Sequence, residues 1–266
     1  MADTITRIQP GPRARLVIFT GCLGALAFLF VSGHLDALSV MLEYSNRYQA
    51  FWREAAQHLR LAFGSLTLAV LIGVPLGIVL HYTRTTKTAI LNALSILQTI
   101  PSMALFGIMV APLGWLAAHS SLAYDLGIRG IGAAPAFLAL LLYSLLPIVA
   151  NTTAGLSSVA PDLCEAASGM GMTRRQRLFR IELPLALPIL LTGIRIVLVQ
   201  NIGLATIAAL IGGGGFGVFI FQGLGQTATD LILLGALPTV ALAFVASVSL
   251  NILIDALNRS LPQGET

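Results

Sequence analysis

Long apolar runs separated by short polar stretches set the pattern of this 266-residue chain. Residues 1–15 are polar, carrying Arg7, Arg13 and Arg15 and the helix breakers Pro10 and Pro12. Leu16 to Gly33 is then apolar for eighteen residues, roughly 27 Å of helix and about one hydrocarbon core. Further spans are predicted from about His58 to Leu80, Ala89 to Ala117, Ala133 to Leu156, Leu185 to Ile211 and Leu231 to Leu257. Between them lie a mixed connector (34–57), a basic turn HYTRTTK (81–87), a small polar loop (118–132), a long charged segment (157–184) and a glycine-rich connector (212–230). The pattern predicts an all-α fold, a polytopic membrane helical bundle of about six transmembrane helices. Residues 1–56 hold the N-terminus, first span and external connector, residues 57–257 the main bundle, and 258–266 a tail. A basic start before an apolar run also fits a signal peptide. The run is long for that role and HLDAL offers no A-x-A-like cleavage site, so a retained span is expected.

Composition agrees with a membrane protein. The chain is 56% hydrophobic and 10% charged, with a mean hydropathy of +0.88, where soluble domains are about a quarter charged. Cys22 and Cys164 fit neither a metal site nor a disulfide framework. The net charge of +4 points to membrane orientation rather than to nucleic acid. With six spans and both termini inside, the cytoplasmic segments hold Arg7, Arg13, Arg15, Arg84, Lys87, Arg174, Arg175, Arg177, Arg180 and Arg259, ten in all. The external segments hold four, Arg47, Arg53, Arg60 and Arg129, so the positive-inside rule favours this orientation. The segment 157–184 is then cytoplasmic.

The spans hold few groups that carry chemistry. His34, His58, His81 and His119 fall at loops or span ends, where interfacial solvation accounts for them better than metal binding. Lys87 follows Thr86 rather than glycine, so there is no Walker A loop. Gly212, Gly214 and Gly217 satisfy G-x-G-x-x-G, but the dinucleotide motif needs a preceding strand, and here an apolar helix precedes it. A flexible or closely packed external connector is the better reading. Polar and helix-breaking residues do recur near mid-membrane: Gln98, Thr99, Pro101 and Ser102 in the third span, Pro147 and Asn151 to Thr153 in the fourth, Gln200 and Asn201 in the fifth. Pro101 predicts a kink with freed carbonyls in need of partners. Each polar residue alone suits interhelical packing. Together Gln98, Thr99, Pro101, Ser102, Asn151 and Asn201 are candidates for a translocation pathway. Arg195, deep in the fifth span, must face protein or water, because a charge at bilayer depth costs about 2.5–3.5 kcal/mol.

The charged segment carries the sharpest signal. Glu165-Ala166-Ala167, then Gly171, then Ile181, Leu183 and Pro184 resemble the EAA loop, EAA-x3-G-x9-I-x-LP, of ABC importer membrane subunits. QTIPSMAL (98–105), LYSLLPIVANT (142–152) and NIGLATIAALIGGGGFG (201–217) are similar to stretches of glycine betaine, carnitine and choline permeases. Ala150 departs from that pattern, standing where many relatives carry arginine. The resemblance covers roughly residues 57–257 and implies a type I ABC importer transmembrane domain in a bacterial cytoplasmic (inner) membrane. It implies a coupling loop over 161–184 in which Glu165, Ala166, Ala167, Gly171, Arg174, Ile181, Leu183 and Pro184 meet a separate ABC ATPase. Small residues there would permit close docking, and Pro184 would end the segment. The implied partners are ATPase subunits, a second permease subunit (the same or a homologous chain) and an external substrate-binding protein. No cofactor is expected on this chain, with ATP and Mg on the ATPase. The chain is therefore expected to be a transporter subunit and not itself an enzyme. The alternatives are an importer for amino acids or another small solute, and an ATP-independent channel or carrier.

Overall fold

The structure, a computed structural model, describes residues 40–125 and 127–260 together with Gly21 and Gly24. Apart from those two glycines, the predicted first span lies outside the described residues, as do residues 261–266. The described chain is helical, with no strand. In order come α1 (Val40–Asn46), α2 (Tyr48–Tyr82), α3 (Arg84–Thr99), α4 (Ser102–His119), α5 (Ser121–Asp125), α6 (Ala133–Ser157), α7 (Pro161–Gly169) and α8 (Arg174–Arg177). A π-helical turn (Leu178–Glu182) leads into α9 (Leu183–Ile207), and a 3-10 turn (Ala208–Ile211) follows it. The chain closes with α10 (Gly217–Gln226) and α11 (Thr229–Ser260). Among the described residues, five helical segments are long and apolar enough to cross a membrane: α2, α4, α6, the continuous stretch Arg174–Ile211, and α11 over Thr229–Arg259.

The bundle is built on α2, α6 and α9, with α6 packed between the other two. Ala62, Leu66, Ala69, Gly73 and Gly77 form the buried stripe of α2, at spacings that keep them on one helical face. Small residues let the backbones approach closely where lipid supplies no hydrophobic drive for helix association. A Cβ at Gly77 would fall 2.6 Å from the Thr152 Cβ on α6, and one at Gly193 of α9 would fall 2.6 Å from the Asn151 Cβ. The same helices meet in a polar knot, because Asn201 of α9 donates to the Ser65 hydroxyl of α2 (3.0 Å) and the Ser144 hydroxyl of α6 (2.9 Å). α11 packs on α9 and α10, while α4 contributes Leu105 and Phe106 to the core around α6.

The structure departs from the expected pattern in four places. The connector before the second span is already helical, since α1 and the first ten residues of α2 precede His58. Ala, Glu, Gln and Arg favour helix there, and Phe51 is held by Phe216 and Phe219, ring centroids 5.6 and 6.3 Å away. At 35 residues, about 52 Å, α2 extends well beyond a hydrocarbon core. The third span is two helices, not one kinked helix: Ile100 (ψ 127) and Pro101 (ψ 138) are extended. A proline disfavours helical backbone in the residue before it, and at 101 it stands just ahead of the next helix, where its missing N–H is not needed. Pro147 does not interrupt the fourth span, for α6 runs through it. Lastly, only residues 212–216 and 227–228 of the glycine-rich connector are loop, and Gly217, Gly223 and Gly225 lie in α10.

Candidate functional site

The charged segment 157–184 is built by local rules. α7 opens with Pro161 at its start and Asp162 in its first turn, both favourable at a helix N-terminus. It ends in a tight reversal in which the Met172 N–H donates to the Ala167 carbonyl (3.1 Å) and Gly171 takes φ +80°. That left-handed backbone is open to glycine at little cost. Nothing lies within 4 Å of where a Gly171 Cβ would point, so the glycine serves the turn rather than a close contact within the chain. α8 then starts with a capping box between Thr173 and Gln176.

Exposure divides the EAA residues. Glu165 and Ala166 face outward with Gly169, Leu163 (49% exposed) and Met170 (72% exposed), whereas Ala167 is buried at 1%. Arg174, Arg175, Phe179 and Arg180 are exposed as well, so 161–180 presents both apolar and charged side chains to its surroundings. Arg177 is instead committed within the chain. Ile181, Leu183 and Pro184 are half-buried. Pro184 does not end the segment: it sits in the first turn of α9, in a helix continuous from Arg174 to Ile211. A first-turn proline is tolerated because its missing N–H falls where the hydrogen-bond ladder changes from π to α spacing.

Sequence reading missed Glu182, which organises this segment. It is 2% exposed; its carboxylate accepts from the Arg177 Nε (2.6 Å) and, through a short hydrogen bond, from the Tyr82 hydroxyl at the end of α2. The Cys164 thiol lies 3.7 Å from the same group. Burial, reinforced by that negative charge, pushes the thiol pKa up, so Cys164 is protonated and poorly nucleophilic at neutral pH. The one available signal was a lone carboxylate set between Ile181 and Leu183.

The mid-membrane candidates separate into two groups. Around the break, the Tyr143 hydroxyl donates to the Ile100 carbonyl in a short hydrogen bond, and the Gln98 amide donates to the Tyr143 carbonyl (2.8 Å). Pro147 has no N–H to offer Tyr143 four residues back, so Gln98 replaces the bond that Pro147 removes. Thr99 and Pro101 are exposed and Ser102 is half-buried. Asn151 and Asn201 serve packing here: Asn151 donates to the Pro147 carbonyl (2.8 Å), and Asn201 is fully buried in the serine knot. Arg195 donates to Asn251 of α11 in a short hydrogen bond. Replacing Tyr143 with Phe is expected to lower the thermal unfolding midpoint by an amount equivalent to about 0.5–2 kcal/mol, since the Ile100 carbonyl loses its donor. A midpoint unchanged in detergent would remove that role from the hydroxyl.

At the other end of α2 the glycine loop is held from below. Gly212, Gly214 and Gly215 take φ of 76°, 77° and 87°. The Gly215 N–H donates to Glu54 (2.8 Å), the Phe216 N–H to His58 Nδ1 (3.4 Å), and Gln57 donates to the Gly213 carbonyl (3.1 Å). His58 is 0% exposed, against the expectation of a solvated histidine, because Phe216 covers its ring. His81 and His119 lie nearer the surface, the latter stacked on Trp115. Beside the loop, Gln57, Arg60, Leu113, Ile128 and Phe137 line a cavity of about 470 Å³. Among the described residues, no three His, Cys, Asp or Glu side chains gather in a way that could hold a metal ion.

Known proteins resemble this chain in sequence and in fold. Residues 69–263 match the family described as the binding-protein-dependent transport system inner membrane component, and residues 1–41 match the N-terminal domain of the ABC transporter permease YehY. The osmoprotectant import permease protein OsmW of Salmonella typhimurium is 45% identical over 211 residues, covering 79% of this chain and 92% of the relative. OsmY of the same organism, also an osmoprotectant import permease protein, is 40% identical over 237 residues, covering 87% and 90%. The carnitine transport permease protein OpuCB of Listeria monocytogenes is 39% identical over 197 residues, covering 73% and 82%. Among solved structures, the MetNI methionine ABC transporter in an inward-facing form superposes with a TM-score of 0.69 at 21% identity, covering 79% of this chain and 97% of that one, and so shares the fold. This chain belongs to the inner membrane components of binding-protein-dependent transport systems, the multi-pass permeases of ABC importers.

Proposed function

We propose that this chain is the membrane-spanning permease of an ATP-driven importer for glycine betaine- or choline-type osmoprotectants, in which ATPase subunits dock on residues 161–180. The observation that carries the docking reading is the outer face of α7 and α8. Glu165 has no hydrogen bond or ion pair inside the described chain, and Leu163, Met170, Arg174 and Arg175 of the same segment are exposed too. Apolar patches rimmed by charge mark interaction surfaces. ATP and Mg are bound by the partner ATPase, and this chain holds neither. A second permease, the same or homologous, completes the bundle, and an external binding protein delivers solute to the end of α2 that carries the glycine loop. Both termini are cytoplasmic in this reading, which the ten-to-four distribution of basic residues supports. Thr99, Pro101 and Ser102 at the broken helix contribute to the solute path, while Gln98, Asn151 and Asn201 hold its walls in place. Support for the solute class comes from relatives named for osmoprotectants and carnitine. The test is reconstitution with the co-purifying ATPase and binding protein, followed by uptake of labelled glycine betaine, choline, carnitine and methionine. Uptake of the quaternary amines with ATP inside the vesicles is expected. Flux through this chain alone without ATP, or preference for methionine, would sink the reading.

A further inference from the structure

Glu182 joins three pieces of chain that otherwise meet only loosely. Arg177 and Glu182 are five residues apart, a spacing at which side chains on an α-helix diverge. The π turn Leu178–Glu182 adds a residue to the turn and brings them together at 2.6 Å. Arg177 also donates to the Ser168 hydroxyl (3.1 Å) on α7, three residues beyond Glu165. The other carboxylate oxygen takes the Tyr82 hydroxyl from α2, one hundred positions earlier in the chain. α2 belongs to the central trio of membrane helices and carries Gly73, Gly77 and Ser65 at its contacts with α6 and α9. Such a buried, charge-assisted hub resists small displacements, because separating a buried carboxylate from its donors is costly.

We propose that Glu182 is a positioning residue for transport, a rigid link through which movement of the cytoplasmic docking helix reaches α2 by way of Ser168, Arg177, Glu182 and Tyr82. This rests on the docking role proposed above. α7 is a nine-residue helix whose Glu165 has no hydrogen bond or ion pair among the described residues, and displacement of it by a bound ATPase reaches Glu182 through Arg177. Tyr82 transmits it because it is the last residue of α2 and its hydroxyl is the α2 group hydrogen-bonded to this hub. The docking face and the link are separate surfaces: Glu165 points out, and Glu182 points in.

The experiment uses the full permease purified with its ATPase and reconstituted with the binding protein, comparing Glu182→Gln, Tyr82→Phe and the double variant. Three quantities are read: ATPase retained on purification, ATP hydrolysed, and glycine betaine taken up. Glu182→Gln is expected to keep the ATPase and lower uptake per ATP by roughly 2- to 30-fold, the range seen when single members of a coupling network are changed. Tyr82→Phe removes one half-exposed hydroxyl, keeps the fold, and is expected to act in the same direction. The double variant should be no worse than Glu182→Gln alone, since both changes break one link. Uptake per ATP at the wild-type level in Tyr82→Phe and Glu182→Gln, additive losses in the double variant, or release of the ATPase by Glu182→Gln would each overturn the proposal. A wild-type permease that holds no ATPase overturns the docking role and this link with it, and is told apart by the purification step alone.

Discussion

Glu165→Lys is expected to abolish ATP-driven uptake while the purified permease unfolds at the wild-type temperature. The two halves of that expectation have separate causes. Within the chain Glu165 is exposed on α7 and engages no other described residue, so reversing its charge should change stability by no more than about 0.5 kcal/mol. At a docked interface the same reversal leaves a partner's charge unpaired or faces it with a like charge, costing about 2–5 kcal/mol of association, on the order of 30-fold or more in affinity. Co-purification of the ATPase, uptake and a melting curve in detergent measure the three terms. Full uptake by Glu165→Lys would remove this residue from the docking surface. A lowered midpoint would make it a structural residue instead. Gly171→Asp should also lose uptake, by a different route: its φ of +80° puts a side chain in left-handed backbone and distorts the turn between α7 and α8, at a cost of about 1–2 kcal/mol.

Gly217→Ala is expected to lower stability by about 3 kcal/mol or more, whereas Gly225→Ala in the same ten-residue helix is expected to be neutral or to raise it by about 0.5–1 kcal/mol. A Cβ on Gly217 would fall 1.8 Å from the Thr206 carbonyl oxygen at the end of α9, and the next atoms in its way are also backbone. Backbone cannot swing aside as a long side chain can, so α10 must leave its seat. Nothing lies within 4 Å of a Cβ on Gly225, and there alanine merely removes conformational freedom from the unfolded chain. Melting curves of the two single variants decide the point, and equal midpoints would contradict the packing described for α10. The contrast also explains the G-x-G-x-x-G spacing: Gly212 and Gly214 are needed for left-handed turns and Gly217 for close approach.

The membrane helices were readable because a span announces itself by an unbroken apolar run, a property of neighbouring residues alone. The polar start of α2 was not, since Tyr48 to Gln57 is mixed and its helix is fixed by Phe216 and Phe219, far along the chain. Pro101 pointed to the third-span irregularity, yet the choice between kink and break lay with Tyr143, which supplies the Ile100 carbonyl with a donor. In the segment 161–184 the spacing of Glu165, Ala166, Ala167 and Gly171 was legible as a short-range pattern. Their separate duties, with Ala167 inward and Gly171 in a turn, appear only once the helix has a protein beside it. Glu182 was illegible for the same reason, its meaning coming from Tyr82.

The extended pair Ile100–Pro101 gives α3 and α4 a mechanical character that the central trio lacks. α3 and α4 are a sixteen-residue and an eighteen-residue rod meeting at a joint, not one long lever. A helix transmits torque along its ladder of backbone bonds, and that ladder is absent across the joint. α3, which begins two residues after Tyr82, therefore meets α4 through side chains alone, Leu97 and Ile100 packing on the same core as Leu105 and Phe106. What couples the two rods is side-chain packing and the bonds to Tyr143, not a shared backbone.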